Sequence, residues 1–204
     1  MLRALARRRG WELHCCGPGA AGVRRWAASA RVPRGNRVVL VGVAGGLRPG
    51  LASGSAVEVT HVVPAEGNRP APAPSIRLTA LPSARCVAVT SALRTAEAKR
   101  AAAEAHRADV VDLESAAFAL EAHERGWDWT ILRGVSDAAD ESLPEGVERW
   151  TDARGRTRMA RVAWAVLRGR VSGAELARLG SASARAMASV AAALEGVQAP
   201  RSRG

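Results

Sequence analysis

With 204 residues, 48% of them hydrophobic, the chain has material for one well-filled core and not for two ordinary domains, so residues 1–204 are expected to form a single domain. No apolar run reaches the roughly 18 to 20 residues that a membrane span needs, and the three cysteines, Cys15, Cys16 and Cys86, lack metal-ligand spacing and point to buried thiols in a reducing, cytoplasmic setting. The formal charge of +11 would suit nucleic acid only if it were clustered, but the arginines are scattered among alanine, glycine and valine, Lys99 is the only lysine, tyrosine is absent and Phe118 is the single phenylalanine, which argues against a base-stacking surface.

The basic start, Met1 to Arg9, is followed by no long apolar stretch or small-residue cleavage pattern, so no secretory signal is expected. Trp11 to Cys16 reads as a strand ending in Gly17-Pro18-Gly19, and Ala20 to Ala30 as a helix. Arg37 to Val43 is a short apolar run bounded by glycine, the pattern of a buried strand. Val57 to Val63 alternates and predicts a strand on which His61 is a structural side chain rather than a ligand. The proline-rich stretch from Pro64 to Pro82 predicts a loop, with room for a short strand at Ile76 to Thr79. Cys86 to Thr90 is the next strand, and Thr95, with Glu97 in the first turn, caps a helix that runs to about Arg107. Asp109 to Leu113 is a strand leading into a helix that Gly126 stops, and Trp129 to Arg133 is another strand. Two apolar stripes at helical spacing close the chain, Met159 to Leu167 and Leu176 to Leu194, and core cover explains both. Strand and helix signals thus alternate, which predicts an α/β fold.

Three groups of residues carry chemistry. Asp112-Leu113-Glu114-Ser115 lies where a strand meets a helix N-terminus, which favours an ionised carboxylate able to accept hydroxyls. Ser136-Asp137 follows the strand ending Leu-Arg-Gly-Val, with Asp140 in the next turn. Ligands in α/β folds bind at such strand ends, although an acidic residue at a helix start caps more often than it catalyses. The third group is the glycine cluster Gly42-Val43-Ala44-Gly45-Gly46-Leu47, whose backbone can approach a ligand or simply form a tight turn. It has neither the dinucleotide spacing nor the Gly-Lys-Ser/Thr of a P-loop.

In this order, Gly-Val-Ala-Gly-Gly-Leu-x-Pro-x-Leu-x-x-Gly-x-x-Val (Gly42 to Val57), Val-Asp-Leu-Glu-Ser-Ala-Ala (Val111 to Ala117) and Leu-Arg-Gly-Val-Ser-Asp-Ala-Ala-Asp (Leu132 to Asp140), the chain resembles the purine nucleoside phosphorylase and methylthioadenosine/S-adenosylhomocysteine nucleosidase superfamily. Cys16-Gly17-Pro18-Gly19 before a helix and Thr95-Ala-Glu-Ala-Lys99 are similar to further parts of that family, and the glycine cluster is most similar to its hopanoid-associated phosphorylases. The resemblance implies a three-layer α/β/α sandwich with a mixed central sheet, cleavage of the N-glycosidic bond of a purine-type nucleoside, and a homodimer or higher homo-oligomer. It implies that Leu113 and Glu114 hold the ribose beside Asp112, that Gly42, Val43, Ala44 and Gly45 line the substrate, and that Ser136 and catalytic Asp137 read the purine, Asp137 assisting protonation of the leaving base.

Two departures from the family pattern shape the expectation. Leu40 and Val43 stand where the family's phosphorylases place an arginine and a serine around phosphate, and an apolar pair cannot neutralise that anion. Hydrolysis is therefore favoured, with no cofactor and no metal expected; inorganic phosphate stays a candidate co-substrate, for which Arg94 or Arg34 would have to compensate. The family's opening strand and its glutamate-bearing segment have no counterpart ahead of Trp11, so the sheet is expected to lack its first strand and to expose an edge. A member that binds a nucleoside or a partner protein without turnover is the alternative. His14, His106 and His123 have no metal or triad spacing, Trp127 and Trp129 are expected to pack, and Phe118 is either a core residue or a base-stacking ring.

Overall fold

The computed structural model describes residues 1–67, 70–144 and 172–197. Five strands, β1 (Arg37–Gly46), β2 (Ala56–Pro64), β3 (Ser83–Ala88), β4 (Val110–Asp112) and β5 (Asp128–Asp137), form one mixed sheet. Its pairs β1·β5, β2·β3 and β3·β4 are parallel, while β2·β5 and β1·β4 are antiparallel. The last two residues of β1, Gly45 and Gly46, pair with Val111 and Val110, and this short ladder closes the sheet into a ring. From Arg37 to Ala44, β1 pairs with β5 alone among the described strands.

Alternation along the strands sends side chains to two cores. On one face Leu40 and Ala44 of β1, Val57 and Val59 of β2, and Trp129, Ile131 and Val135 of β5 meet α2 (Gly19–Ser29) and α4 (Ser115–Glu124). On the other, Leu132 and Ala56 meet α5 (Gly173–Leu194) and Leu5 of α1 (Leu2–Arg9), while Val87 and Val111 pack under α3 (Ala96–His106). The layered α/β architecture read from the sequence is therefore the observed one. Phe118 is a core residue, edge-on to Trp129 with ring centroids 5.7 Å apart. Trp127 packs instead on Trp26, at 5.5 Å, and donates to the Val32 carbonyl at 3.1 Å.

Local signals set the helix ends. Thr95 Oγ1 accepts from the Ala98 amide at 3.1 Å, Ser172 Oγ from the Glu175 amide at 3.0 Å, and Gly126, at φ 63°, turns the chain out of α4. Over α5 the stripe of large residues contributes less than expected: Ala182, Ala186, Val190, Ala191 and Leu194 are its buried positions. Gly134 explains why, since a Cβ there would lie 2.6 Å from the Ala186 carbonyl atoms. Helix and strand backbones touch at that crossing, and only small side chains fit beside it.

Three local readings are corrected. Trp11 to Cys16 forms no strand; Trp11 donates through Nε1 to the Val197 carbonyl at 3.3 Å, Glu12 and His14 pair with each other, and none of the described strands offers the segment a ladder. Ile76 to Thr79 is no strand either, because Glu58 takes its amides: Leu78 and Thr79 donate to the carboxylate at 2.8 and 3.0 Å, and Thr79 Oγ1 at 2.7 Å. Gly42 to Gly46 continues β1 rather than leaving it as a turn, because β5 and then β4 supply partners. The Met159 to Leu167 stripe lies outside the described residues.

Candidate active site

Strand ends β4 and β5 carry two buried charge clusters, one on each face of the sheet. The first is built on Arg133, 2% exposed in the middle of β5. Its Nε donates to Asp112 Oδ2 at 2.7 Å, Nη2 lies 2.5 Å from the same oxygen as an ion pair, and Nη2 donates to Glu114 Oε2 at 3.2 Å. Directly across the ladder stands Gly42, where an added Cβ would lie 2.1 Å from Arg133 Nη1. Here glycine makes room for a guanidinium inside the protein.

Asp112 has a second task. Its Oδ1 accepts from the Ser115 and Glu114 amides at 3.0 and 3.3 Å, and Ser115 Oγ donates to Oδ2, so it caps α4 from two residues upstream. Glu114 Oε1 meanwhile accepts from the Gly19 amide at 2.7 Å, at the N-terminus of α2. Burial opposes the Arg133 charge, but Asp112 and then Glu114 more than offset it, so the guanidinium is held above its ordinary value and stays charged. The Glu114 side chain is 16% exposed, which leaves it the cluster's outlet to solvent. A carboxylate has about four acceptor positions. Two are filled in Glu114, so its orientation is set while capacity for further donors remains.

Asp137, 2% exposed, belongs to the second cluster. The β1·β5 register slips between Ala44, which faces Val135, and Gly45, which faces Asp137, making Ser136 the bulged residue. The slip turns Asp137 to the α3 side, where its Oδ2 lies 3.2 Å from the position of a Cβ on Gly45. Lys99 Nζ, fully buried on α3, donates to Asp137 Oδ2 and to the Ala138 and Glu141 carbonyls at 2.7 and 2.8 Å. Ser136 Oγ lies 2.5 Å from Asp137 Oδ1 and 3.2 Å from the Ala44 carbonyl.

The structure thus places Asp112, Glu114 and Gly42 in one cluster and Gly45, Ser136, Asp137 and the Ala44 carbonyl in the other. Leu113 is half-buried between Asp112 and Glu114, and Val43 is 39% exposed on β1. Arg34 lies against Gly126, ahead of β5 and at the far end of the strand from Asp137, so it does not serve this site. Arg94 lies nearer, its carbonyl accepting from the Leu143 amide at 2.7 Å. The sequence reading missed Arg133 and Lys99. Each had a signal: an arginine inside an otherwise apolar strand run, and the only lysine of an arginine-rich chain. Among the described residues no group of three His, Cys, Asp or Glu side chains is arranged to hold a metal, and no helix is long and apolar enough to cross a membrane.

Residues 83–168 match the family described as the phosphorylase superfamily. That segment holds α3, β4, α4 and β5, and with them every charged side chain of the two clusters. The fold is also that of solved nucleosidases and of a futalosine hydrolase. The 5'-methylthioadenosine nucleosidase of Arabidopsis thaliana superposes with a TM-score of 0.57 at 17% identity, over 92% of this chain and 71% of that one. A 5'-methylthioadenosine/S-adenosylhomocysteine nucleosidase of Helicobacter pylori gives 0.57 and 17%, over 88% and 77%. The futalosine hydrolase of Helicobacter pylori gives 0.51 and 18%, over 80% and 76%. Against another structure of the Helicobacter pylori nucleosidase the match spans 65% of that chain's length. No curated protein matches the chain.

Proposed function

We propose that the chain cleaves the N-glycosidic bond of a purine-type nucleoside, releasing free base and a ribose product. The observation that carries this reading is the fixed carboxylate of Glu114, held by Arg133 and the Gly19 amide at the strand ends and still open to solvent. Breaking the bond builds positive charge on the sugar and negative charge on the base. A carboxylate aimed at the ribose hydroxyls favours that transition state over the ground state, and because protein donors already hold it, little reorganisation is needed at the moment of reaction. Asp137 and Ser136 take the base side of the same reading. Water is the favoured acceptor of the ribosyl group, because Leu40 is buried and Val43 is apolar where a phosphate would need cationic and hydroxyl partners.

Free base released from a panel of purine nucleosides, with and without inorganic phosphate, tests the proposal. Release in phosphate-free buffer is the expected result; no release from any nucleoside by the folded chain would sink it. A second reading, a protein that binds a nucleoside without turnover, draws on the burial of Asp137 and the engagement of both its oxygens. Calorimetry separates the two, since the second predicts binding heat with no free base.

A further inference from the structure

Lys99 has no solvent exposure, yet its ammonium is fully used: it donates to Asp137 Oδ2 and to the Ala138 and Glu141 carbonyls. These acceptors bracket the turn that follows β5. The turn is tied again from outside, where the Ala138 amide donates to Glu141 Oε2 at 3.0 Å and Arg178 of α5 holds Glu141 Oε1 at 2.6 Å. A buried ion pair adds little net stability, because desolvation offsets attraction, so its effect lies in fixing where charges sit. All three of its donated bonds go to the residue proposed for the base side and to the turn beside it. We infer that Lys99 is the positioning residue of the base side of the site, setting both the carboxylate of Asp137 and the course of residues 138–141.

The inference rests on the proposed function and adds a residue that the family resemblance did not assign. Lys99 touches no substrate in this account; it acts through Asp137. Its removal should therefore penalise substrates that depend on the base side more than those that do not. A nitrophenyl riboside is such a control, since its phenolate leaves without a proton and offers no purine to read.

The test compares the whole wild-type chain with Lys99→Met on a purine nucleoside and on a nitrophenyl riboside. A loss of about 100-fold in kcat/KM is expected on the nucleoside, the scale of a misplaced reacting group, with the loss on the nitrophenyl riboside at least about 30-fold smaller. Lys99→Met strands a buried carboxylate, so a second arm places it in an Asp137→Asn background, where no buried charge is left unpaired. There it should add less than about threefold to the loss already caused by Asp137→Asn. Equal losses on both substrates, or a further loss of about tenfold or more in the Asp137→Asn background, overturn the inference while leaving the function standing. A wild-type chain that cleaves neither substrate overturns the function and the inference with it.

Discussion

Arg133 places a charge where the strand pattern calls for an apolar side chain, and two carboxylates are arranged around it. Substituting Arg133→Met leaves Asp112 buried without its counter-charge, and urea denaturation should show a loss of about 3–5 kcal/mol. Gly42→Ala acts on the same group from across the ladder: the new methyl would need the space of Nη1, and a loss of about 1–3 kcal/mol is expected as the guanidinium shifts. Cys86 reports on the same interior. Burial, with the Asp112 charge behind it, pushes its thiol well up, so it stays protonated and unreactive in the folded chain. Iodoacetamide should label exposed Cys15 and spare Cys86 until the protein unfolds. Because the raised value belongs to the folded state, the stability tied to the neutral thiol is complete below the ordinary thiol range and is lost as pH climbs from there through the raised value of the folded chain. Cys86→Ala should flatten that alkaline loss in denaturation measured across pH.

Segment 75–79 shows how one side chain substitutes for an element. The Glu58 carboxylate, 1% exposed, accepts from two amides and a hydroxyl of this segment and from Thr130 Oγ1 at 3.0 Å, while the Ser75 amide donates to the Trp129 carbonyl at 3.1 Å. Glu58→Ala should free the strap, with faster amide exchange at Leu78 and Thr79 and a loss of about 2–3 kcal/mol for several bonds to a buried charge. Elements were legible in the sequence where their signals are local. Thr95 announces α3 and Gly126 ends α4 because cap and turn are made within a few residues. They were not legible where a distant partner decides. Trp11 to Cys16 has the residues of a strand but joins none of the described strands, and the glycines of β1 look like a turn until Val110 and Val111 pair with them. The carboxylates Glu114 and Asp137 were singled out by their motifs. Their partners Arg133 and Lys99 were not: the sequence marks each as unusual, but which carboxylate each one meets is decided by the fold.

At the scale of the molecule, the sheet divides the work between its faces. Its α2/α4 face holds the Arg133 cluster, its α3 face the Lys99 cluster, and the bulge at Ser136 lets one strand serve both. Helix α5 closes the α3 face through small residues, so Gly134→Val should push it off β5 and lower the melting temperature while leaving the residues of both clusters unaltered in identity. Under the proposed function, the Glu114 carboxylate at this end of the sheet favours the transition state for glycosidic bond cleavage. The most direct test is kcat/KM for base release from a purine nucleoside in phosphate-free buffer, measured for the wild-type chain and for Glu114→Gln. Turnover by the wild type is expected, with a loss of at least about 100-fold in the variant, as for removal of one preorganised electrostatic group. Unchanged release by folded Glu114→Gln, or none by the wild type, would contradict this role of Glu114.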